Sequence, residues 1–338
     1  MRDSIVNVFG MRRSGTTWIG KLFDSHPDTV YRHEPDSIFA MDGVPYYPDL
    51  EKDRLDADSL STFFDAVDSA SRPHIVAKLP LFPKNFLGAV SFATLRASAS
   101  MSKVVKRLAG VELPVLNVLK SLPDYRGTLV WKSVEAPCRV GLFATSLPKS
   151  RSVFVMRHPC GYLNSYVRGQ DSGNMPATTD DDFDVGIWER RLTSAPARAR
   201  GIDIDAVRRW SRKERMVWEW VIDNEKALAD IDGLDNVLLV NYDALCEDPV
   251  AGTRAMIEFA GLEWDEQTEA FIGAGAARDD ARYFSVMKDP RIAANAWKEQ
   301  LAAEDRQLVI DIVAGSPLAE HFNDMAPSAA GNAGQVAG

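Results

Sequence analysis

The apolar positions of this chain fall into short β-branched runs separated by stretches with helical periodicity. Ser4 to Gly10 (SIVNVFG) is a continuous apolar run closed by a glycine, the pattern of a buried strand. A glycine-containing turn follows, then a predicted helix over Thr17 to Ser25 and a second short strand over Val30 to Arg32. Ile75 to Lys78, Thr128 to Lys132 (TLVWK), Ser152 to Met156 (SVFVM) and Asn236 to Asn241 (NVLLVN) repeat the buried-strand pattern. His158-Pro159 ends the SVFVM run, and Cys160 to Arg168 reads as helix. The periodicity of Ser211 to Ala229, with apolar Met216, Val217, Trp220 and Val221, predicts a long helix, and Pro249 to Ala260 another. Strands alternating with helices predict an α/β fold with a central parallel sheet of about five strands flanked by helices.

Two stretches lack a strand pattern. Pro83 to Pro123 is mildly basic, and Gln170 to Arg209 passes from acidic (DDDFD) to basic (RARAR). Both read as insertions on the ligand face, within one domain over 1–325. The alternative is a helical cap with no ligand contact. The tail 327–338, small and polar, is expected to be disordered.

Composition narrows the function class. The chain of 338 residues is 46% hydrophobic and 26% charged, as a globular protein should be. A net charge of -9 argues against non-specific nucleic-acid binding, so an anionic ligand needs a local basic pocket. Cys138, Cys160 and Cys246 are too scattered for a metal site or a disulfide framework, which fits a reducing cytoplasm. The start MRDSIVNVFG lacks signal-peptide anatomy, and no apolar run reaches the roughly 20 residues that span a bilayer. A soluble, cytoplasmic, metal-free protein is expected.

The segment Gly10-Met11-Arg12-Arg13-Ser14-Gly15-Thr16-Thr17-Trp18 lies between a strand and a helix. Glycines there let backbone N–H groups face an anion, and the helix adds its positive N-terminal end. The spacing Gly10 to Gly15 matches the GxxxxGK[ST] phosphate loop, but Thr16 stands where the lysine belongs, and Arg12 and Arg13 lie inside the loop. A loop with hydroxyls and arginine but no lysine suits a single 5'-phosphate without metal. An ordinary capping turn is the bland alternative.

RRSGTTW resembles the 5'-phosphosulfate loop of sulfotransferases that use 3'-phosphoadenosine 5'-phosphosulfate (PAPS), commonly PKSGTTW or PRSGTT. The resemblance implies a three-layer P-loop-NTPase-like fold. It places Arg13 at the family's catalytic lysine, Ser14, Gly15, Thr16 and Thr17 on the 5'-phosphate, and Trp18 near adenine. A second segment, SVFVMRHPCGYLNSY, puts Arg157 at a strand end and Ser165 eight residues on. It resembles the family's 3'-phosphate site, with His158 in place of the usual Asn or Asp. VNYDALCEDP resembles a family segment whose tyrosine, here Tyr242, lies near adenine. YFSVMKDP with Trp297-Lys298 resembles a C-terminal segment in which Lys288 or Arg291 closes over the 3'-phosphate. The likeness runs discontinuously over about residues 4–310 and implies PAPS as donor, leaving as adenosine 3',5'-bisphosphate.

Sulfuryl transfer needs cations for the leaving phosphate and a base for the acceptor proton. Arg13 is the natural cation on the leaving side. Lys132 resembles the lysine of the KTHLP motif, but the base histidine two residues on is here Val134. Glu34, comparable in place to the glutamate base of carbohydrate-type sulfotransferases, takes the role first; Glu135 and His33 stay open as alternatives, and Lys78 is a weaker catalytic candidate. The acceptor is a hydroxyl or amine of a small molecule, carbohydrate or lipid. A P-loop kinase would need a loop lysine, and Lys21 lies too far into the helix. A non-catalytic nucleotide-binding protein is the third reading.

Overall fold

The computed structural model describes residues 4–41, 43–117, 127–175, 179, 183–276, 286–322 and 324–325. The tail 327–338 lies outside them. In chain order the elements are β1 (Ile5–Gly10), α1 (Thr16–Ser25), β2 (Thr29–His33), α2 (Ala57–Ser69), α3 (Pro73–Val76), α4 (Ala89–Ala109), β3 (Thr128–Ser133), α5 (Val140–Ser146), β4 (Arg151–Met156) and α6 (Pro159–Asp171). They continue with α7 (Val185–Leu192), α8 (Ala195–Ala199), α9 (Ile204–Arg209), α10 (Arg212–Ile231), β5 (Val237–Asn241), α11 (Tyr242–Glu247), α12 (Pro249–Phe259), α13 (Glu266–Ala276), α14 (Pro290–Asn295), α15 (Trp297–Gln300) and α16 (Ala303–Val313).

The five strands form one all-parallel sheet in the order β2-β3-β1-β4-β5. Alternate residues of β1 serve opposite faces, because side chains of a strand alternate. Val6 and Val8, with Val130, Val153, Val155 and Val240, pack on Ile19 and Leu22 of α1, Met256 and Ile257 of α12, and Phe271 and Ile272 of α13. Phe9, on the other face, meets Trp131 edge-on at 5.4 Å and Phe143 of α5 at 5.5 Å, and Phe63 of α2 closes that cluster 5.1 Å from Trp131. A buried Asn7 on the same face accepts from the Trp131 indole at 2.5 Å and donates to Ser150 and Ser152. Helix, sheet and helix therefore make the three layers expected of a P-loop-like α/β fold.

One predicted strand is corrected. Ile75 to Lys78 begins inside α3, a single helical turn opened by Pro73 and packed against β2. Proline at a first helical position is preset for helix, and a short apolar run reads alike as strand or buried helical turn. The other elements follow the pattern to within a residue or three. The segment 83–123 carries α4, and 170–209 carries α7 to α9.

The chain divides into two compact units, Met1–Arg157 with Ala229–Asn295, and His158–Leu228 with Ala296–Gly338. The first holds the whole sheet. The second has its own core of Trp188, Ala197, Val207 and Ile222. Its Arg191 is buried against Asp223 at 2.8 Å and Glu219 at 2.8 Å, and His158 stacks on Trp297 with ring centroids 4.4 Å apart.

Candidate active site

Parallel strands bring all their carboxyl ends to one edge of the sheet, where open α/β folds bind ligands. Five such ends carry predicted residues here. The phosphate loop leaves β1, Glu34 follows β2, Lys132 is the penultimate residue of β3, Arg157 follows β4, and Tyr242 follows β5.

The loop is built for close approach. Gly15 has φ 88°, and a Cβ there would lie 2.1 Å from the Tyr242 ring, so only glycine fits. Gly10 is equally confined, its hypothetical Cβ 2.7 Å from the Val155 carbonyl oxygen. Gly15 stands at the N-cap of α1 with no side-chain cap, which leaves the first-turn amides to an anion. Ser14 and Thr16 are buried in the loop. Arg13 holds φ 70°, and Glu34 holds φ 47°; among the described residues these are the two non-glycine positions in the left-handed region. Such strain collects at functional sites because only a well-determined surrounding maintains it. Arg12 pairs with both carboxylate oxygens of Glu135, at 3.0 and 2.9 Å, near the surface.

The β2–β3 edge forms a charged cluster. Register sets His33 opposite Lys132, and the Glu34 amide donates to the Lys132 carbonyl at 2.9 Å, extending the ladder by one rung. The fully buried Lys132 ammonium donates to one Glu34 oxygen, and to Thr17 Oγ1 at 3.3 Å. The second Glu34 oxygen lies 3.4 Å from His74 Nε2, and His33 Nε2 lies 3.8 Å from the first. Burial opposes ionisation of Glu34, but His74, Lys132 and His33 outweigh it and hold the carboxyl well below the usual carboxylate range. Burial, followed by the charge of Lys132, pushes His33 down to about 2, so its ring is neutral. The Tyr31 hydroxyl occupies His33 Nδ1 at 2.9 Å. Burial lowers the Lys132 and Lys78 ammonium groups, against the attraction of Glu34. Asp36, buried beside Ser133, is pushed up to about 6 by that burial.

Arg157 ties the second anion motif to the first. Its guanidinium donates to the Arg13 carbonyl at 3.0 Å and to the Ala293 carbonyl of α14 at 2.9 Å, and lies 5.0 Å from the Tyr242 ring centre. Trp18 meets Tyr242 edge-on at 6.1 Å. Tyr242 thus sits under the phosphate loop. Ser165 lies on α6 in the second unit. Lys288 precedes α14, and Arg291 within it donates to the Glu247 carbonyl at 3.0 and 2.7 Å.

His74 is not among the residues the sequence pattern singles out, because it stands just outside the run Ile75 to Lys78 that reads as a strand. A histidine four residues ahead of Lys78, itself a candidate, is the available signal. His33, Glu34 and His74 bring three donor atoms within 4.8 Å of one another. Lys132 donates into that carboxylate, and Lys78 adds a second positive charge beside it. Lys21 is also accounted for: it is buried and bonds Asp24 and the Lys78 and Pro80 carbonyls, so it serves the fold and not a phosphate.

No curated protein matches the chain significantly in sequence. Among solved structures, the sulfotransferase domain of the curacin biosynthetic pathway shares 15% identity with a TM-score of 0.39, covering 92% of this chain and 98% of its own. Sulfotransferase STF9 from Mycobacterium avium shares 17% at 0.40, covering 92% and 76%. Mouse sulfotransferase SULT7A1, complexed with PAP, shares 10% at 0.43, covering 94% and 85%. The sequence profile described as the Sulfotransferase family matches residues 6–266, most of the chain, and the protein therefore belongs to the sulfotransferase family.

Proposed function

We propose that this protein transfers the sulfuryl group of PAPS to a hydroxyl or amine of a small-molecule, carbohydrate or lipid acceptor. The observation that carries the reading is Lys132, whose ammonium bridges Thr17 at the phosphate loop and the Glu34 cluster. A cation in that position touches both halves of a displacement reaction.

Ser14, Gly15, Thr16 and Thr17, with the first amides of α1, would hold the 5'-phosphate. Arg12, Trp18 and Tyr242 would border the nucleotide, and Arg157 and Lys288 the 3'-phosphate. The acceptor oxygen attacks sulfur in line, and the bond from sulfur to the bridging oxygen breaks. Charge gathers on the departing adenosine 3',5'-bisphosphate, where Arg13 and Lys132 neutralise it. No step calls on a metal. The Glu34 cluster receives the acceptor proton.

Cytoplasmic residence belongs to the same reading. It is supported by three buried free cysteines. Among the described residues, no helix is long and apolar enough to cross a membrane.

Thermal shift with adenosine 3',5'-bisphosphate and with ATP-magnesium tests the donor. The bisphosphate should stabilise the protein more; stronger stabilisation by ATP-magnesium would restore the kinase reading. Labelled PAPS with an acceptor panel then tests transfer. Bisphosphate binding without any turnover would favour a non-catalytic nucleotide-binding protein.

A further inference from the structure

Glu34 cannot easily be the group that takes the acceptor's proton. One of its oxygens receives the Lys132 ammonium, and the other faces His74 Nε2 at 3.4 Å. Each oxygen of this carboxylate already faces a donor, and those donors lower its affinity for a further proton. His33 is worse placed. It is 3% exposed, and its Nδ1 is taken by Tyr31. Glu135 is held by Arg12 at 2.9 Å.

His74 differs from all three. It is 41% exposed, the one open member of the cluster, while Glu34 beneath it is 19% exposed. Its ring meets the His33 ring at 5.0 Å with an interplanar angle of 61°, and α3 packs on β2 to hold it there. A carboxylate on one imidazole nitrogen fixes the tautomer, placing a hydrogen on that nitrogen and a lone pair on the other. The groups facing His74 are Glu34 and His33 from the end of β2; Lys132 of β3 and Lys78 just after α3 act on that pair. A polar chain therefore runs from Thr17 at the phosphate loop through Lys132 and Glu34 to His74.

We propose that His74 is the base of sulfuryl transfer and that Glu34 orients its ring. The inference rests on the sulfotransferase reading above. As the acceptor oxygen bonds to sulfur, its proton moves to Nδ1 of His74, and the electron pair of the broken sulfur–oxygen bond leaves with the bisphosphate. His74 returns the proton to solvent after product release, so the cycle closes without a further reactant.

The test uses the full chain, PAPS and a panel containing a phenol, an aliphatic alcohol, a sugar and an arylamine. The first compound sulfated by the unmodified protein becomes the probe. His74→Ala should lower kcat about 100-fold or more while bisphosphate affinity is unchanged. Added imidazole should restore part of that rate, because the truncation leaves room for it. His74→Gln, which fills the space, should be equally slow and not rescued. Turnover of His74→Ala within about threefold of the unmodified protein, alongside a collapse in Glu34→Gln, would make the carboxylate itself the base. A loss without rescue, accompanied by weaker bisphosphate binding, would assign His74 a structural role. An unmodified protein that binds the bisphosphate but sulfates no member of the panel would overturn the proposal, and failure to bind the bisphosphate at all would instead remove the sulfotransferase reading beneath it.

Discussion

At the residue scale, the site depends on which partner each charge has. Arg157 donates to the Arg13 carbonyl of the loop and to the Ala293 carbonyl of α14, and the proposed function adds a 3'-phosphate to its partners. Arg157→Ala should weaken adenosine 3',5'-bisphosphate roughly 10- to 100-fold, the value of one or two charge-assisted hydrogen bonds. Adenosine 5'-monophosphate separates these roles in a calorimetric titration: its affinity should change little, and an equal loss would mean that Arg157 acts only by tethering the loop. Glu34→Gln should chiefly lower kcat, since it removes the anion that faces Lys132 and His74. The buried His33 and Asp36 set a pH signature. His33 titrates at about 2 when folded against 6.5 ordinarily, so the unfolded chain binds its proton between those values and stability rises with pH there. Asp36 titrates at about 6 against 3.8, so the folded chain holds the extra proton and stability falls as pH rises through that window. The two slopes oppose each other between about pH 4 and 6. Replacing His33 with Asn removes its rising slope: measured against the unmodified protein, the melting temperature of the variant should fall as pH is raised from 4 to 6. Parallel curves for the two proteins would refute this assignment.

At the element scale, β1, its loop and α1 form one device. Gly15→Ala meets two obstacles, the left-handed φ of 88° and the Tyr242 ring 2.1 Å from the new carbon. It should cost at least ~2 kcal/mol and weaken the bisphosphate more than tenfold, measured by chemical denaturation and calorimetry. This device was legible in the sequence because its signals are local: an apolar run, glycines at fixed spacing, hydroxyls at a helix start. Lys132 and Arg157 were legible for a similar reason, each closing a buried strand. The α3 turn was not, since a short apolar run has no period long enough to separate strand from helix. His74 was lost with it. The pairing of Arg12 with Glu135 was equally hidden, because it joins positions 123 residues apart. Local chemistry could be read directly; which charges neutralise one another had to wait for the fold.

At the scale of the whole molecule, the parallel sheet separates stability from chemistry. Its carboxyl edge carries the charged residues, and its two faces carry the apolar ones. Phe63 of α2 is buried in the aromatic cluster with Trp131 and Phe143 on the face opposite α1. Phe63→Ala should lower stability by about 3–5 kcal/mol through lost burial and a residual cavity. Its ring contacts are Phe64, Trp131 and Phe143, on the face of the sheet rather than in the loop, so the bisphosphate dissociation constant should stay within about twofold of the unmodified value. Mass action then makes a quantitative forecast. A ligand at 100 times its dissociation constant adds about 2.7 kcal/mol to the folded state. The same saturating bisphosphate should therefore raise the midpoint of both proteins by similar free energies and recover roughly half or more of what the variant loses. Equilibrium denaturation with and without the bisphosphate checks this. A variant that gains far less than the unmodified protein would show that the aromatic layer helps to shape the phosphate loop, and the division between faces and edge would have to be abandoned.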